Sequence, residues 1–470
     1  MTNLDLTKYD LIMKRFIGRE GELALLNEHY ASSSAEMFIL YGRRRVGKTE
    51  LLVEFTRNKR AVYFTASQVA TGDNLNQLTM LTSQQLGRSE LEGLTFKTLE
   101  SYLEYIANLE GTSRLVLVLD EFQYWVSAER SIPSMIQRFW DRIGKKSQLM
   151  LVLCGSSISM MVDYTLAEKS PLYGRRTGQL ELEPMDYRTA SRFFPTWSEE
   201  ERLSAFGILG GIPAYLEQFD PQVSLAENIK DKMLHKGRYL AEEAHLLFKT
   251  ELRDPTVYFS ILRAIASGCT TMKDLASRVN LDARAVSTYV SNLQTLHIVT
   301  REIPFNEPRK SRKGRYFVKD NFLKFWFSLV EPNQTLLDIN QGERLFDQLI
   351  SPRLSTYMGP VFEEICRQYL LLFGEEAGLP VPVRLGKIWH RDYDIDIVTE
   401  NLDATNTIAE CKWSKKTVDR RLIYQLRQRA ETSGFMTAQK HLVLFTSSGF
   451  KGGEIEDSLF IDCGMLLPSR

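Results

Sequence analysis

An apolar run that breaks into a glycine loop and re-forms as a helix limits what this chain can fold into. Phe38-Ile39-Leu40-Tyr41 leads into Gly42-Arg43-Arg44-Arg45-Val46-Gly47-Lys48-Thr49, and Glu50-Leu51-Leu52 continues as a helix. Gly42, Gly47, Lys48 and Thr49 satisfy the phosphate-binding pattern G-x-x-x-x-G-K-[ST]. Its glycines let the backbone curl until its N–H groups converge on phosphate oxygens, and the following helix N-terminus adds positive potential. About 0.01 such matches are expected by chance in a chain of this size. The pattern therefore predicts nucleoside triphosphate binding by residues Gly42 to Glu50, with Lys48 at the β- and γ-phosphates and the Thr49 hydroxyl on Mg²⁺.

A strand–loop–helix of this kind needs a parallel sheet around it, and the next segments supply one. Ala61–Thr65 reads as a strand and residues 75–110 carry helical periodicity. Leu115–Leu119 is an unbroken apolar strand ending in Asp120-Glu121. Acids at the C-terminal end of a buried parallel strand sit where α/β sheets bind ligands. This Walker B arrangement assigns Asp120 to Mg²⁺ and Glu121 to the attacking water, the alternative being a plain helix cap. Leu149–Cys154 is another buried strand, and it ends in Gly155-Ser156-Ser157. Ser156 or Ser157 is then a γ-phosphate sensor or an ordinary helix cap. Arg175 and Arg176 follow shortly after, as phosphate-directed guanidiniums or as a solvated turn. Leu209-Gly210-Gly211-Ile212-Pro213 must interrupt a helical region.

These segments, F-I-G-R-E (16–20), G-R-R-R-V-G-K-T, L-D-E-F-Q, C-G-S-S, Y-G-R-R-T-G and G-G-I-P-x-Y, resemble in order the archaeal-type ATPases, STAND-class relatives of AAA+ proteins. The resemblance covers most of residues 12–330. It implies ATP hydrolysis coupled to a conformational switch, often with self-assembly. It also implies that the backbone at Ile17 and Gly18 packs on the adenine and that Gly211 and Pro213 form the lid's glycine–proline motif.

Beyond residue 250 the pattern changes twice. Helical stripes over 256–267, 271–276 and 283–296 precede Ile298–Ile303, a basic loop and Tyr316-Phe317-Val318, which together describe a winged helix-turn-helix. The loop Pro308–Arg315 carries five cations in eight residues. It suits phosphate backbones, while Arg284, Ser287, Thr288, Ser291 and Asn292 suit a groove; the alternative is a module used only for packing. From about 340, a helix with Glu363-Glu364 precedes strands at Val383–Trp389, Tyr393–Thr399 and Thr407–Trp413. A basic helix (417–434), a strand His441–Thr446 and the apolar stretch Leu459–Leu467 follow. Spacing by two places Asp394 with Asp396, and Glu410 with Lys412, on common strand faces. Carboxylates beside a lysine suit Mg²⁺-assisted phosphodiester hydrolysis. The order resembles the PD-(D/E)xK restriction-endonuclease-like fold, and also a C-terminal domain of unknown function carried by archaeal-type ATPases. That resemblance implies Asp396 and Glu410 as metal ligands and Lys412 and Glu363 as their catalytic companions. Ile395 stands where the motif has proline, and Glu364 competes with Glu363.

The expected fold class is α/β: a P-loop AAA+/STAND-like parallel sheet (1–184) with a helical lid (185–250), a winged helix-turn-helix (251–335) and a restriction-endonuclease-like α/β domain (336–470). Lys+Arg and Asp+Glu are 59 each, which excludes a wholly basic nucleic-acid wrapper but not local basic patches. Five scattered cysteines read as buried thiols of a reducing cytoplasm, and no apolar run reaches membrane-spanning length. The expectation is a cytoplasmic ATPase with ATP and Mg²⁺ as cofactors, DNA as partner, self-association, and no membrane. The competing expectations are a STAND-type signalling or defence ATPase whose inactive nuclease-like domain binds protein or DNA, and a winged-helix transcriptional regulator.

Overall fold

The computed structural model describes residues 16–109, 113–252, 254–390, 393–433 and 440–468. Residues 12–15, 110 and 434, where expected segments begin or end, lie outside these. The chain divides into two compact units, with the boundary between Pro184 and Met185.

The first unit is built on a parallel sheet. Its elements run α1 (Glu20–Ala31), β1 (Glu36–Tyr41), α2 (Lys48–Thr56), β2 (Ala61–Thr65), α3 (Thr71–Leu86), α4 (Leu99–Ala107), β3 (Val116–Asp120), α5 (Phe122–Ala128), α6 (Ile132–Arg142), β4 (Met150–Gly155) and β5 (Gly178–Glu181). Strand order is β2-β3-β4-β1-β5, with every pairing parallel. β1, β3 and β4 are buried along their whole length, which is why their sequences are continuous apolar runs rather than alternating ones. Helices cover both faces: Leu26, Leu51, Leu52 and Phe55 pack on one, and Tyr102, Trp125, Ile136 and Phe139 on the other. The single helical stretch expected over 75–110 is two helices, because Gly87 at φ 63° ends α3 and a Thr98–Ser101 capping box starts α4.

The second unit contains helices α7 (Glu199–Leu209), α8 (Pro213–Leu216), α9 (Tyr239–Glu251), α10 (Pro255–Ala266), α11 (Met272–Val279) and α12 (Ala283–Thr295). The strands β6 (Val299–Glu302) and β7 (Arg315–Val318) then pair as an antiparallel hairpin. Thr271 and Asp282 cap α11 and α12. The chain continues through α13 (Ser351–Leu372), β8 (Pro382–Trp389), β9 (Asp394–Asn401), β10 (Asn406–Lys412), β11 (Val418–Asp419), α14 (Leu422–Thr432), β12 (Lys440–Thr446), β13 (Phe450–Lys451) and β14 (Ser458–Ile461). Part of the expected basic helix is therefore strand β11, paired with β13.

The large C-terminal sheet is mixed, in order β14-β12-β10-β9-β8, antiparallel across β8–β9–β10 and parallel across β10–β12–β14. Alternate residues separate its faces. Ile397, Ala409, Val443 and Phe445 share a core with Phe362, Ile365 and Tyr369 of α13. Val398, Ile408 and Leu444 share another with Ile423 and Leu426 of α14. No described helix is long and apolar enough to cross a membrane. Cys154, Cys366, Cys411 and Cys463 are buried and Cys269 is half-buried, all as free thiols.

Candidate active site

The strand order of the first unit places β4 between β3 and β1, so three strand ends lie side by side. β1 ends at Tyr41 and the chain turns through Gly42, where a Cβ would lie 2.5 Å from the carbonyl oxygen of Leu182. Only glycine fits there. Gly47 at φ 96° and Arg45 at φ 69° supply the left-handed turns that curl the loop onto α2. Lys48 is buried, and its ammonium donates to the carbonyls of Gly42 (2.9 Å) and Arg43 (2.8 Å) inside the loop.

Opposite the loop, the Thr49 hydroxyl donates to Asp120 Oδ2 at 3.1 Å. Tyr63 OH, at the middle of β2, donates to the same oxygen at 2.7 Å. Burial first, and then the Asp120 charge, push the Tyr63 phenol well above its usual range, so it remains a donor. A hydroxyl and a carboxylate this close form an oxygen pair suited to Mg²⁺, and the residues present fit that ion.

Glu121 takes the left-handed conformation at φ 52°, a strained choice for a non-glycine residue. Its Oε2 accepts from Ser156 Oγ at 2.7 Å and from the Gln123 amide, which also donates to Ser156 at 3.2 Å. Gly155 makes room for Gln123, since a Cβ there would run into the amide. Of the two sensor candidates, Ser156 thus meets Glu121, while Ser157 occupies a helix cap position without a side-chain cap bond.

The arginines part company. Arg175 is forked onto Asp141, with Nε at 3.0 Å and Nη2 at 2.8 Å from the two carboxylate oxygens. Arg176 lies close enough to Tyr41 for its charge to oppose the rise in the phenol's pKa that burial and Glu181 cause. Arg44 donates to Tyr124 OH at 2.8 Å. Ile17 is half-buried, Gly18 is buried at φ 73°, Val46 is core and Glu50 is exposed in the first turn of α2. Arg19 stands in the F-I-G-R-E segment, but nothing in the sequence assigns its side chain a role. Its buried guanidinium clamps Val46 O (3.0 Å) and Glu183 O (2.7 Å), so it holds the P-loop from behind. Tyr63 belongs to no motif, although a tyrosine in a buried strand needs a partner for its hydroxyl, and Gln123 closes the L-D-E-F-Q segment without a role assigned from sequence.

Within the second unit, Gly210 (φ 69°, ψ −159°) takes a conformation open to glycine alone, and Gly211 packs against Met185 too closely for any Cβ. Pro213 occupies the first turn of α8, where its missing N–H costs nothing.

The C-terminal acids fall into two groups. Ile388 pairs Ile395 and Gly386 pairs Val398, so Asp396 and Ile397 together face Lys387 in a β-bulge. Lys387 Nζ reaches Glu363 Oε2 at 2.8 Å and Asp396 Oδ1 at 3.5 Å. Burial and the Asp396 charge raise the Glu363 pKa, whereas the two carboxylates hold Lys387 protonated above its usual range. Glu364 instead reaches Arg367. Asp396 Oδ2 also accepts from Cys411 N–H at 3.0 Å. Glu410 is buried between Lys412 (2.6 Å) and Arg429 of α14 (2.9 Å). No cluster of three or more His, Cys, Asp or Glu disposed to hold a metal occurs among the described residues.

Comparison with known proteins places this geometry. A family profile described as an ATPase domain predominantly from Archaea matches residues 16–219. A protein of Methanocaldococcus jannaschii, itself uncharacterised, is 31% identical over 453 residues, spanning 95% of this chain and 98% of its own. The chain belongs to the archaeal-type ATPase family. An ATP-binding protein of Pyrococcus abyssi is 28% identical over 226 residues, which are 43% of this ATPase and 68% of the relative. A second profile, of archaeal and bacterial proteins of unknown function, matches residues 326–423. Among solved structures, a Walker-type ATPase of Pyrococcus abyssi aligns over 67% of this chain and 97% of its own, at 19% identity and a TM-score of 0.48. The first unit is thus an ATP-binding P-loop ATPase unit.

Proposed function

We propose that this ATPase is a nucleotide-driven switch whose second unit engages DNA and cuts it. The observation that carries the ATP half is the convergence of Thr49, Asp120, Glu121 and Ser156 on one end of the parallel sheet. The loop N–H groups from Arg43 to Thr49 and the Lys48 ammonium would hold the β- and γ-phosphates, and backbone at Ile17 and Gly18 the adenine. Thr49 and Asp120 would hold Mg²⁺, which supplies positive charge to the β- and γ-oxygens. Glu121 orients a water for attack on the γ-phosphorus and receives its proton as the bond to ADP breaks. Ser156 and Gln123 fix the Glu121 carboxylate, Arg176 is the better-placed guanidinium, and Pro213 marks the lid.

In the second unit Asp396 with Glu363, and Glu410 with Lys412, are the candidate phosphodiester-hydrolysing residues; the two pairs stand on adjacent strands but engage different helices, α13 and α14. One observation favours a second reading: Glu410 is held between two cations. On that reading the domain binds nucleic acid without cutting it. Two substitutions separate the halves. Lys48→Ala abolishes ATP turnover. Asp396→Ala abolishes Mg²⁺- or Mn²⁺-dependent nicking of plasmid DNA with ATP turnover unchanged. Plasmid that survives the wild-type protein with ATP and either metal decides for the second reading.

A further inference from the structure

We infer that the basic loop Pro308–Arg315 and the β8 edge of the C-terminal sheet form one rigid surface for the phosphate backbone of duplex DNA, set in fixed register with the Asp396 end of the sheet. The inference rests on the DNA-directed reading above, and it concerns binding alone.

Charge is the first observation. The loop carries Arg309, Lys310, Arg312, Lys313 and Arg315 with no acid among its eight residues, in a chain whose formal net charge is zero. All five are exposed. Glu307 engages Lys313 at 2.6 Å, while Arg301 donates to Ser311 O at 2.6 Å from beneath. Gly314 is buried over that guanidinium, where a Cβ would lie 2.6 Å from it. The loop is therefore braced from inside, and its cations point outward.

Anchorage is the second. Phe305, just before the loop, is 2% exposed and belongs to the core formed with Ile388 and Ile395. Its N–H donates to Lys387 O at 2.8 Å. Arg384 covers the Phe305 ring at 4.0 Å, and Gly386 leaves the ring its space. After the loop, Arg315 lies over Trp389 at 5.1 Å. Glu302 on β6 accepts from Arg367 of α13 at 3.0 Å. A loop used only for solubility has no need of a base sunk into its neighbour's core. The residue that Phe305 holds by its carbonyl is Lys387, whose ammonium reaches Glu363 and Asp396. Lys387 thus links the base of the loop to the acids.

The choice of duplex DNA comes from α12. It exposes Arg284, Ser287, Thr288 and Ser291, a polar face at i, i+3, i+4 and i+7 on the same module. Such a helix enters the wide major groove of B-form DNA and finds no entry into the narrow one of A-form RNA.

The test uses the full chain and a fluorescein-labelled 25-base-pair duplex. Replacing the exposed trio, Arg309→Gln, Lys310→Gln and Arg312→Gln together, lowers affinity at least tenfold near 0.1 M salt. It also reduces the slope of log affinity against log salt by about 3, close to one for each phosphate no longer neutralised. A benzophenone amino acid at His390, which is exposed and outside the loop, cross-links the duplex in the otherwise wild-type protein and not in the triple variant. Unchanged affinity and slope in the triple variant overturn the inference. So do a cross-link that persists in it, tighter binding of the matching RNA duplex, or wild-type protein that binds neither. Binding that follows this pattern without any strand cleavage upholds the inference and counts only against nuclease activity.

Discussion

Both units carry acids on or beside buried strands, yet they treat those acids oppositely. Asp120 and Glu121 are met by neutral side-chain donors: the hydroxyls of Thr49, Tyr63 and Ser156 and the Gln123 amide. Asp396, Glu363 and Glu410 are met by ammonium and guanidinium groups from Lys387, Lys412 and Arg429. Neutral donors orient a carboxylate and leave its charge to attract a cation. Cationic donors cancel that charge and make the acid part of the structure until something displaces them. Acids on or beside buried strands are therefore left ready in one unit and contained in the other.

The largest expected effect breaks the first half of this contrast. Glu121→Gln removes the charge while keeping the shape, and turnover should fall about 10²- to 10³-fold with ATP affinity nearly unchanged, as read by phosphate release and equilibrium titration. Equal losses in both would make Glu121 a binding residue instead. Next comes Lys387→Met, which leaves Glu363 and Asp396 facing each other without their cation. A loss of about 3 kcal/mol in urea unfolding at pH 7 is expected. Little loss would mean that the two acids already share a proton.

Glu363→Gln gives a smaller effect with a defined sign. The folded-state pKa lies above the ordinary 4.5, so across that window the folded protein keeps a proton that the unfolded chain has released. Stability on this account falls as pH rises through the window, and the glutamine variant should show a flatter profile there. Smallest is Asp419→Asn. Arg421 holds that exposed carboxylate down to about 2, below its ordinary 3.8. Its contribution is present above the higher figure and disappears as pH falls towards the lower, so only the acid limb of a urea-midpoint curve should move.

The parallel sheet was legible because burial on both faces forces continuous apolar runs, and the P-loop because its turn demands glycine at two fixed places. Helix boundaries around residues 87–98 were not, since a glycine stop and a serine–threonine cap are weak signals inside one periodic stretch. Arg19 and Tyr63 were silent for another reason. Their roles depend on atoms far away in the chain, Glu183 and Asp120 respectively. In the C-terminal sheet, alternation correctly paired Glu410 with Lys412, but a bulge at Asp396–Ile397 is silent in composition. It brought in Lys387, which no spacing rule points to.

By itself the sequence determined the chemistry of the phosphate loop, the acids Asp120 and Glu121 at the end of β3 and the cationic loop at 308–315. Those depend on backbone sterics and local charge, which neighbouring residues carry with them. Tertiary structure alone decided that β4 stands between β1 and β3, so that Ser156 reaches Glu121. It alone decided that Phe305 seats the basic loop on the strand of Lys387. Strand order and long-range burial are settled by the whole core at once, and no local segment encodes them.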